Sequence, residues 1–428
     1  MNNSTVVKTP YGRLLLGMVF GQFGNSMATI IPLALLLTLK LIEIDPQNVA
    51  SNMGMAAGLA VLVGIICTYI GGAVSDRTTL AFGRRRTWIL VGFMIGSGCL
   101  VKLGAAVSIG DIVIAWCLAI ASFSFASASL CALIPDQVDE ARRGTASGVI
   151  GLFNPVAIVS GMGLMTLLNS YSTQFKYNVL AGIALFCGIM CCILIKDGVV
   201  RWDAPSSSTK MTFGERLSRL YPSPRKYPAF SWGVLTRFLV CMAFNTQMFS
   251  TLYFIQKFNI SPDAVTGVVA FTMLIQVIGL ALASFLGGML SDKLRKQKPF
   301  VAGSAVLVAI GVFIVAFATS MEVVYLGTAI LGVGFGVYLA VDMALIARIL
   351  PNKKDAAKDF GIMNIAGTLP QALVMAIASP LLAAGGFPLF YGLLAITGLL
   401  SALAVIPIPE MSPIIVDETA EIGSRKVI

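Results

Sequence analysis

The chain has 428 residues, of which 57% are hydrophobic and 12% charged, with a formal net charge of +10 and no histidine. Soluble domains carry roughly 45–50% apolar and about 25% charged residues. The composition therefore excludes a soluble enzyme and predicts a polytopic membrane protein. The lack of histidine excludes imidazole metal sites. The eight cysteines lie in apolar segments without zinc or disulfide spacing, so we expect no metal and no cofactor.

Twelve apolar segments of about 20 residues or more predict transmembrane helices, because a helix of that length crosses the hydrocarbon core. They are residues 14–39, 49–74, 87–107, 112–134, 146–169, 177–195, 231–256, 264–290, 300–319, 323–347, 360–384 and 387–408. With both termini cytoplasmic, all Lys and Arg residues except Lys40, Lys102, Lys176 and Lys257 lie at the cytoplasmic side, as the positive-inside rule requires. The pattern predicts a multi-pass protein of the cell membrane and explains the basic charge without nucleic acid as a partner.

An internal repeat divides the chain into two halves. Gly-Gly-Ala-Val-Ser-Asp-Arg at 71–77 matches Gly-Gly-Met-Leu-Ser-Asp-Lys at 287–293, an offset of 216 residues. Ile-Pro at 134–135 matches Leu-Pro at 350–351 at the same offset. Two independent pairs at one offset predict an all-α protein of twelve transmembrane helices in two six-helix repeats. Secondary transporters are commonly built in this way.

The repeat also predicts the domain boundaries. They are an N-terminal six-helix bundle at 1–195, a cytoplasmic linker at 196–230, a C-terminal six-helix bundle at 231–409 and a cytoplasmic tail at 410–428. Within the linker, Thr212 and Glu215 resemble a capping box. Apolar residues then recur at helical spacing at Phe213, Leu217, Leu220 and Tyr221. This pattern favours a short amphipathic helix on the membrane surface, with an irregular linker as the alternative.

The loop after the second segment carries the most specific motif. Gly72–Arg77 followed by Gly83-Arg84-Arg85-Arg86 resembles the loop between helices 2 and 3 of the major facilitator superfamily. The longer form, Ser75–Thr79 with Phe82–Arg86, also resembles the glycoside-pentoside-hexuronide cation symporters and the sucrose-proton symporters. The superfamily resemblance implies the twelve-helix fold and alternating access. The narrower resemblance implies cation-coupled sugar uptake.

The charged residues beside this motif are candidates for a latch between conformations. Asp76 and its repeat copy Asp292 accept charge-assisted hydrogen bonds from basic side chains, and Arg348 is the expected partner of Asp292. The complete set of latch candidates is Asp76, Arg77, Arg84, Arg85, Arg86, Asp136, Arg142, Arg143, Asp292 and Arg348. A loop that is basic only because it faces the cytoplasm is the alternative interpretation.

Charged residues inside the predicted helices are few, and burying each one in hydrocarbon is costly. Asp342 is the only acidic residue well inside a segment, and Arg237 enters the seventh segment at a comparable depth. If both face one cavity, they form an ion pair that protonation or substrate binding breaks. That would couple a proton or monovalent cation to the conformational change. A static pair between two helices is the alternative.

Uncharged polar residues inside the segments are candidates for substrate binding, because amides and phenols hydrogen-bond hydroxyl-rich ligands. They are Gln22, Asn25, Asn154, Asn245, Gln247, Gln276, Tyr338, Asn364 and Gln371. Pro155 beside Asn154 also predicts a kink in the fifth segment. Each polar residue is also compatible with a hydrogen bond between helices.

The sequence lacks a phosphate-binding Walker loop, so ATP is not expected to drive the protein. We expect a monomeric secondary transporter that is surrounded by lipids, and not an enzyme. It is expected to move a small polar organic solute by symport with a proton or another cation. A sugar or a glycoside is the first candidate for the solute. Proton-coupled efflux of an amphipathic metabolite or drug is one alternative. A membrane sensor or scaffold that does not transport is the other.

Overall fold

A computed structural model describes residues 9–80, 82–139, 142–197, 222, 224–294, 297–349 and 356–408. The secondary structure within these ranges is helical, without strands. The helices are α1 (Tyr11–Ile44), α2 (Val49–Arg77), α3 (Arg84–Gly104), α4 (Ile109–Gln137), α5 (Arg143–Leu167), α6 (Thr173–Leu194), α7 (Pro228–Phe258), α8 (Pro262–Leu294), α9 (Lys298–Ala316), α10 (Met321–Ile349), α11 (356–384) and α12 (387–404).

The last two helices are continuous in hydrogen bonding but not in direction. The segment Ala356–Ala404 has 49 residues, and one straight helix of that length would extend about 74 Å, more than twice the hydrocarbon thickness. Gly385 and Gly386 have non-helical backbone angles, and φ of Gly386 is +64°, which an L side chain rarely adopts. The chain reverses there, so the eleven apolar helices found among the described residues make twelve crossings.

Helix packing repeats in the two halves. α2 packs on α4 and α3 on α4, and likewise α8 packs on α10 and α9 on α10. Close approach of α8 and α10 requires glycine, because a Cβ on Gly332 would lie 2.5 Å from the carbonyl oxygen of Gln276. The halves meet where α2 contacts α11 and where α5 contacts α8. The predicted fold class is therefore confirmed.

Two helices lose regular α geometry at nearly equivalent places in the repeat. α1 contains a π segment at Pro32–Leu36, and α7 contains a 3₁₀ segment at Asn245–Phe249. The two segments contact each other across the halves. Such irregular turns inside helices often occur at hinges or functional sites.

The observed helices differ from the predicted segments mainly at their ends. α1 extends to Ile44, five residues past its predicted end, and Lys40 pairs with Glu43 on its last turn. The kink predicted at Pro155 does not interrupt α5, which is one helix through Leu167. The predicted amphipathic helix around Thr212 and the tail at 410–428 lie outside the described residues. Below, the terminal side is the side of Thr9 and Ile408, and the far side is the opposite one.

Candidate functional site

The two charged residues predicted inside the C-terminal helices are in contact. The guanidinium of Arg237 on α7 donates from Nη1 to Oδ2 of Asp342 on α10. Tyr338, one turn before Asp342, donates its hydroxyl to the other carboxylate oxygen at 2.7 Å. Asp342 is 5% exposed and Tyr338 1%. Both oxygens of the buried carboxylate thus have donors, which burial of a charge requires.

The Arg237 guanidinium has fewer of its hydrogen-bonding groups paired than the Asp342 carboxylate has. Nε of Arg237 is buried and has no hydrogen-bond partner among the described residues. The guanidinium lies against Gly367 of α11, where a Cβ would be 3.0 Å from Nε. Removing one member of such a pair leaves an uncompensated buried charge. The pair is therefore sensitive to any event that neutralises Asp342.

An aromatic column continues from this pair toward the far side. Phe335, one turn before Tyr338, stacks on it with ring centroids 5.7 Å apart. Phe335 also stacks on Phe244 of α7, with centroids 3.5 Å apart and planes inclined by 9°. Phe244 directly precedes the 3₁₀ segment of α7. The column therefore joins Asp342 to the irregular part of α7.

A pocket lies beyond the column, in the far half of the C-terminal bundle, with about 530 Å³ of empty space. α7, α8, α9, α10 and α12 all contribute to its wall. The polar lining residues are Thr246, Gln247, Ser250, Tyr253, Thr272, Gln276, Thr328 and Tyr391. The apolar lining residues are Phe254, Val269, Met273, Val312, Val315, Val324 and Leu331. Small-molecule sites commonly combine an apolar wall with a few polar groups in this way.

Arg85 forms the centre of a polar cluster on the terminal side of the N-terminal half. Its Nε donates to Asp136 at 2.9 Å, Nη1 to Ser75 at 2.9 Å, and Nη2 to Asp76 at 2.5 Å. Arg85 is 4% exposed. Arg84 reaches the same oxygen of Asp136 at 2.8 Å. The ends of α2 and α4 are thus joined through one planar guanidinium at the start of α3.

The remaining basic candidates bond within the same half. Arg86 donates to the carbonyl of Cys192 on α6 at 2.9 Å, and Arg143 donates to the carbonyls of Pro135 and Val138 at 3.2 Å. Arg142 lies over the ring of Tyr11, 5.2 Å from its centroid. The described hydrogen bonds of these arginines therefore join helices of one half and not the two halves to each other. The side chains of Asp292 and Arg348 lie outside the described part of the chain.

Polar contacts close the two halves against each other on the far side. Thr251 of α7 is fully buried and donates to the carbonyl of Ala34, in the π segment of α1, at 2.6 Å. Asn169 donates its side-chain amide to the carbonyl of Asp263, next to the start of α8, at 2.5 Å. On the terminal side, Tyr69 donates to the carbonyl of Gly361 at 3.2 Å.

Acidic residues hold the turns of the far side. Glu43 accepts from Thr173 at 2.5 Å and pairs with Lys40 at 3.2 Å. In the exposed turn after α1, the side-chain amides of Asn48 and Asn52 donate to Asp45 and lower the pKa of that carboxyl. Because that pKa is lowered on folding, the turn gains stability above the unfolded pKa and loses it as the pH falls through the folded one.

Comparison with known families decides the class of the protein. The sequence matches the family model of the Major Facilitator Superfamily over residues 14–279 and 234–426. The chain belongs to this superfamily. It is therefore a multi-pass membrane transporter, and its apolar helices are transmembrane helices. No curated protein matches the sequence.

Solved major facilitator transporters share the fold at low sequence identity. A D-xylose-proton symporter matches at 16% identity and TM-score 0.69, covering 93% of this chain and 97% of the other. The peptide transporter POT in complex with sulfate matches at 12% and 0.70, covering 92% and 94%. A bacterial homolog of the human lysosomal transporter Spinster, inward-facing and unoccupied, matches at 14% and 0.62, also covering 92% and 94%. These likenesses establish the fold alone.

Within this superfamily fold, the predicted substrate residues separate into distinct environments. Gln247 and Gln276 line the pocket, and Tyr338 bonds to Asp342. Gln22 donates to Ser26 of its own helix at 3.1 Å, and Asn245 donates to the carbonyl of Cys241 at 2.7 Å. Two of the nine predicted residues thus line this pocket, and two amides bond within their own helices, where a carbonyl one turn away is within reach.

The other predicted amides lie outside the pocket. Asn25 and Asn154 each have a buried carbonyl oxygen without a donor among the described residues. On α11, Asn364 is exposed and Gln371 half-buried. Six hydroxyl-bearing residues of the pocket were not predicted: Tyr253, Tyr391 and the Ser and Thr residues Thr246, Ser250, Thr272 and Thr328. Their only sequence signal was a hydroxyl inside an apolar segment, which usually bonds to its own helix.

The hydrogen bond of Thr251 to Ala34 joins the two halves on the far side, and its role in keeping that side closed can be tested. Thr251→Val is expected to favour opening of the far side, because the Ala34 carbonyl then loses a buried donor at a cost of about 1–3 kcal/mol. Hydrogen–deuterium exchange in peptides covering 32–36 and 245–258 should become faster than in the wild type. Thr397→Val is the matched control, since the Thr397 hydroxyl bonds only to Leu394 of its own helix. Equal exchange in both variants would contradict the assignment.

Proposed function

We propose that the protein is a symporter that takes up a small polar organic solute together with a proton or a monovalent cation. A sugar or a glycoside is the first candidate for the solute. The observation that carries the proposal is the buried Arg237–Asp342 pair, with Tyr338 as a third member, at one end of an aromatic column that leads to the pocket. An ionisable group inside a membrane helix is costly and is retained where it has a function.

The coupling mechanism follows from the charges. With Asp342 ionised, the pair holds α7 and α10 together. A proton on Asp342 removes the negative charge and releases Arg237, so the two helices lose their strongest mutual interaction. A solute bound near Phe244 then favours one arrangement of α7. A cation and a solute that stabilise the same conformation are transported together, because each shifts the same equilibrium.

The motif in the loop after α2 favours a sugar as the first solute to test. Ser75–Thr79 and Phe82–Arg86 resemble the glycoside-pentoside-hexuronide cation symporters and the sucrose-proton symporters, and one solved relative of the fold is a D-xylose-proton symporter. The pocket wall carries two amides and several hydroxyls among seven apolar residues. The amides and hydroxyls offer hydrogen-bond partners to a polar solute, which the hydrophobic substrates of an efflux pump do not need.

The proposed cellular arrangement completes this function. The protein is a monomer in the cell membrane, surrounded by lipids, with both termini, the linker at 196–230 and the tail at 410–428 in the cytoplasm. The terminal side is then the cytoplasmic side, and the Thr251 contact closes the outer side. The bundles 1–195 and 231–409 rotate against each other in alternating access. In the state described, the first bundle is held together by contacts of Asp76, Arg84, Arg85, Arg86, Asp136, Arg142 and Arg143. Arg77 belongs to the same proposed latch, and Asp292 and Arg348 are its second copy.

Transport by the purified protein tests the proposal. Proteoliposomes receive an inward proton gradient or an inward sodium gradient, and uptake of radiolabelled D-xylose, D-glucose, lactose and sucrose is measured. We expect one sugar to accumulate against its concentration gradient, and an ionophore that collapses the ion gradient to abolish the accumulation. Failure of all sugars with both gradients, together with gradient-driven export of a hydrophobic dye, would assign the protein to the efflux class.

A further inference from the structure

We infer that the pocket between α7, α8, α9, α10 and α12 is a binding site for a small, uncharged, hydroxyl-bearing solute, with Gln276 as its anchor. The inference rests on the proposed function and specifies the substrate class and its position. It separates the solute site from Asp342, which lies eleven residues, or about 16 Å, along α10 from the lining residue Leu331.

The first observation is a buried amide without a partner. Gln276 is 6% exposed, and its Nε2 has no hydrogen-bond acceptor within the part of the chain that the structure describes. Its backbone is fixed because α10 passes against it at Gly332. An unsatisfied buried donor costs about 1–3 kcal/mol. A ligand acceptor in the pocket would remove that cost.

A second polar group on another helix completes the arrangement. The hydroxyl of Ser250 on α7 lines the same pocket, is buried and likewise has no partner among the described residues. Ser250 directly follows the 3₁₀ segment Asn245–Phe249, and Thr246, Gln247 and Ser250 all line the pocket. Unpartnered groups on α7 and α8 therefore face one space.

The hydroxyls of the wall determine which ligand atoms fit. Thr246 and Thr272 donate their hydrogens to carbonyls of their own helices, at 2.9 and 2.7 Å. Their oxygens are left as acceptors, whereas Gln276 offers a donor. A ligand must therefore both donate and accept at several points, as a hydroxyl group does. A purely apolar ligand would leave these groups unsatisfied.

The charge of the ligand follows from the same wall. None of the residues that line the pocket is ionised at neutral pH. A carboxylate or an ammonium entering it would lose its hydration without an opposite charge in the wall, at a large free-energy cost. The Lys257 ammonium behind Tyr253 is already bonded to the Tyr253 hydroxyl and the Ala316 carbonyl. The wall therefore selects against acidic sugars, amino sugars and zwitterionic peptides. It selects for neutral polyols and monosaccharides.

Binding to the purified full-length protein in detergent tests this assignment without an ion gradient. The probes are radiolabelled D-xylose, D-glucose and myo-inositol, compared with D-gluconate and D-glucosamine. We expect at least one neutral probe to bind, and both charged probes to bind at least about tenfold more weakly. Gln276→Leu and Ser250→Ala should each raise the Kd of the neutral probe about tenfold, the effect of losing one buried hydrogen bond.

Gln174→Leu is the matched control, because Gln174 is exposed at the start of α6, far from the pocket. The thermal midpoint of each variant verifies its folding, and Ser250→Ala decides the question if Gln276→Leu does not fold. Charged probes that bind as well as neutral ones, an unchanged Kd in the pocket variants, or no binding of any neutral probe would each overturn the inference.

The two proposals fail in different ways. Neutral probes that bind through Gln276 but are not accumulated in proteoliposomes would refute symport and leave the pocket assignment intact. Accumulation of a sugar that is unaffected by Gln276→Leu and Ser250→Ala would establish symport and refute the pocket assignment.

Discussion

Asp342→Asn is expected to abolish solute accumulation against a concentration gradient while solute exchange across the membrane continues. The asparagine mimics the protonated carboxyl in shape and charge, so the Arg237 interaction no longer depends on a proton. Coupled accumulation requires that dependence, whereas exchange of bound for free solute requires only that the two conformations interconvert. We expect accumulation to fall at least about 100-fold and exchange to change less than about threefold, since only the coupling free energy is lost.

The measurement compares gradient-driven uptake with counterflow in the same proteoliposomes. Asp111→Asn is the matched control, because Asp111 is an exposed residue at the start of α4 that bonds only to Ser108 in the described structure. Asp342→Asn leaves Arg237 as a buried cation, so the double variant Asp342→Asn/Arg237→Gln, which removes both charges, serves as a second test. It should fold as well as the wild type and remain uncoupled.

Loss of both uptake and counterflow in the double variant, with folding intact, would assign the pair a structural role instead. Wild-type accumulation by Asp342→Asn would exclude it from coupling altogether. The control must retain both activities for either conclusion to hold.

The sequence predicted the fold well because hydrocarbon imposes strict conditions. A transmembrane helix must be about 20 residues long and apolar, so the twelve segments could be identified from the sequence. The offset of 216 residues between the repeated motifs could be read from the sequence as well. The same cost of burial explains why Asp342 and Arg237 were recognisable as partners. Tyr338 lies one helical turn from Asp342, so spacing alone indicated that the two share a face.

The pocket was not predictable in the same way. The pocket residues of α7 recur at helical spacing, as Thr246, Ser250 and Tyr253 do. Every face of a helix has that spacing, so which face meets a cavity depends on how the neighbouring helices pack. Asn245 illustrates the difficulty: its amide bonds to Cys241 one turn earlier and not to a cavity. Close packing of Gly332 on Gln276 is also a property of two helices together. Contacts between helices leave no pattern in the sequence of either helix.

The arrangement of the terminal-side arginines was predicted from the sequence only in part. The sequence identified Arg85 and Asp136 as members of one charged group, and the structure describes a bond between them. It did not reveal that Arg85 would be buried while its neighbours Arg84 and Arg86 remain partly exposed. Three consecutive arginines are equivalent in composition, and only the direction of the first turn of α3 distinguishes them.

Arg85→Met is expected to slow gradient-driven transport at least about tenfold and to destabilise the N-terminal half. Methionine keeps most of the apolar stem but removes the hydrogen bonds to Ser75, Asp76 and Asp136. Hydrogen bonds to charged groups contribute about 1.5–3 kcal/mol each, and partial exposure of Asp76 and Asp136 places the expected loss at the lower end of that range. Arg85→Lys should be intermediate, since an ammonium lacks the planar fork.

Initial uptake rates and thermal midpoints measure the two effects, and Kd for a neutral sugar measures whether the solute pocket is affected. We expect that Kd to stay unchanged, because the Arg85 cluster lies on the terminal side of the N-terminal half and the pocket in the far half of the C-terminal one. Arg13→Met is the matched control, as Arg13 is exposed and bonds to a backbone carbonyl, Ile193 O. A normal uptake rate in Arg85→Met would show that the cluster has no part in the transport cycle. A slower rate with unchanged sugar affinity would show that the guanidinium acts on the exchange of conformations, since solute binding at the pocket would be intact.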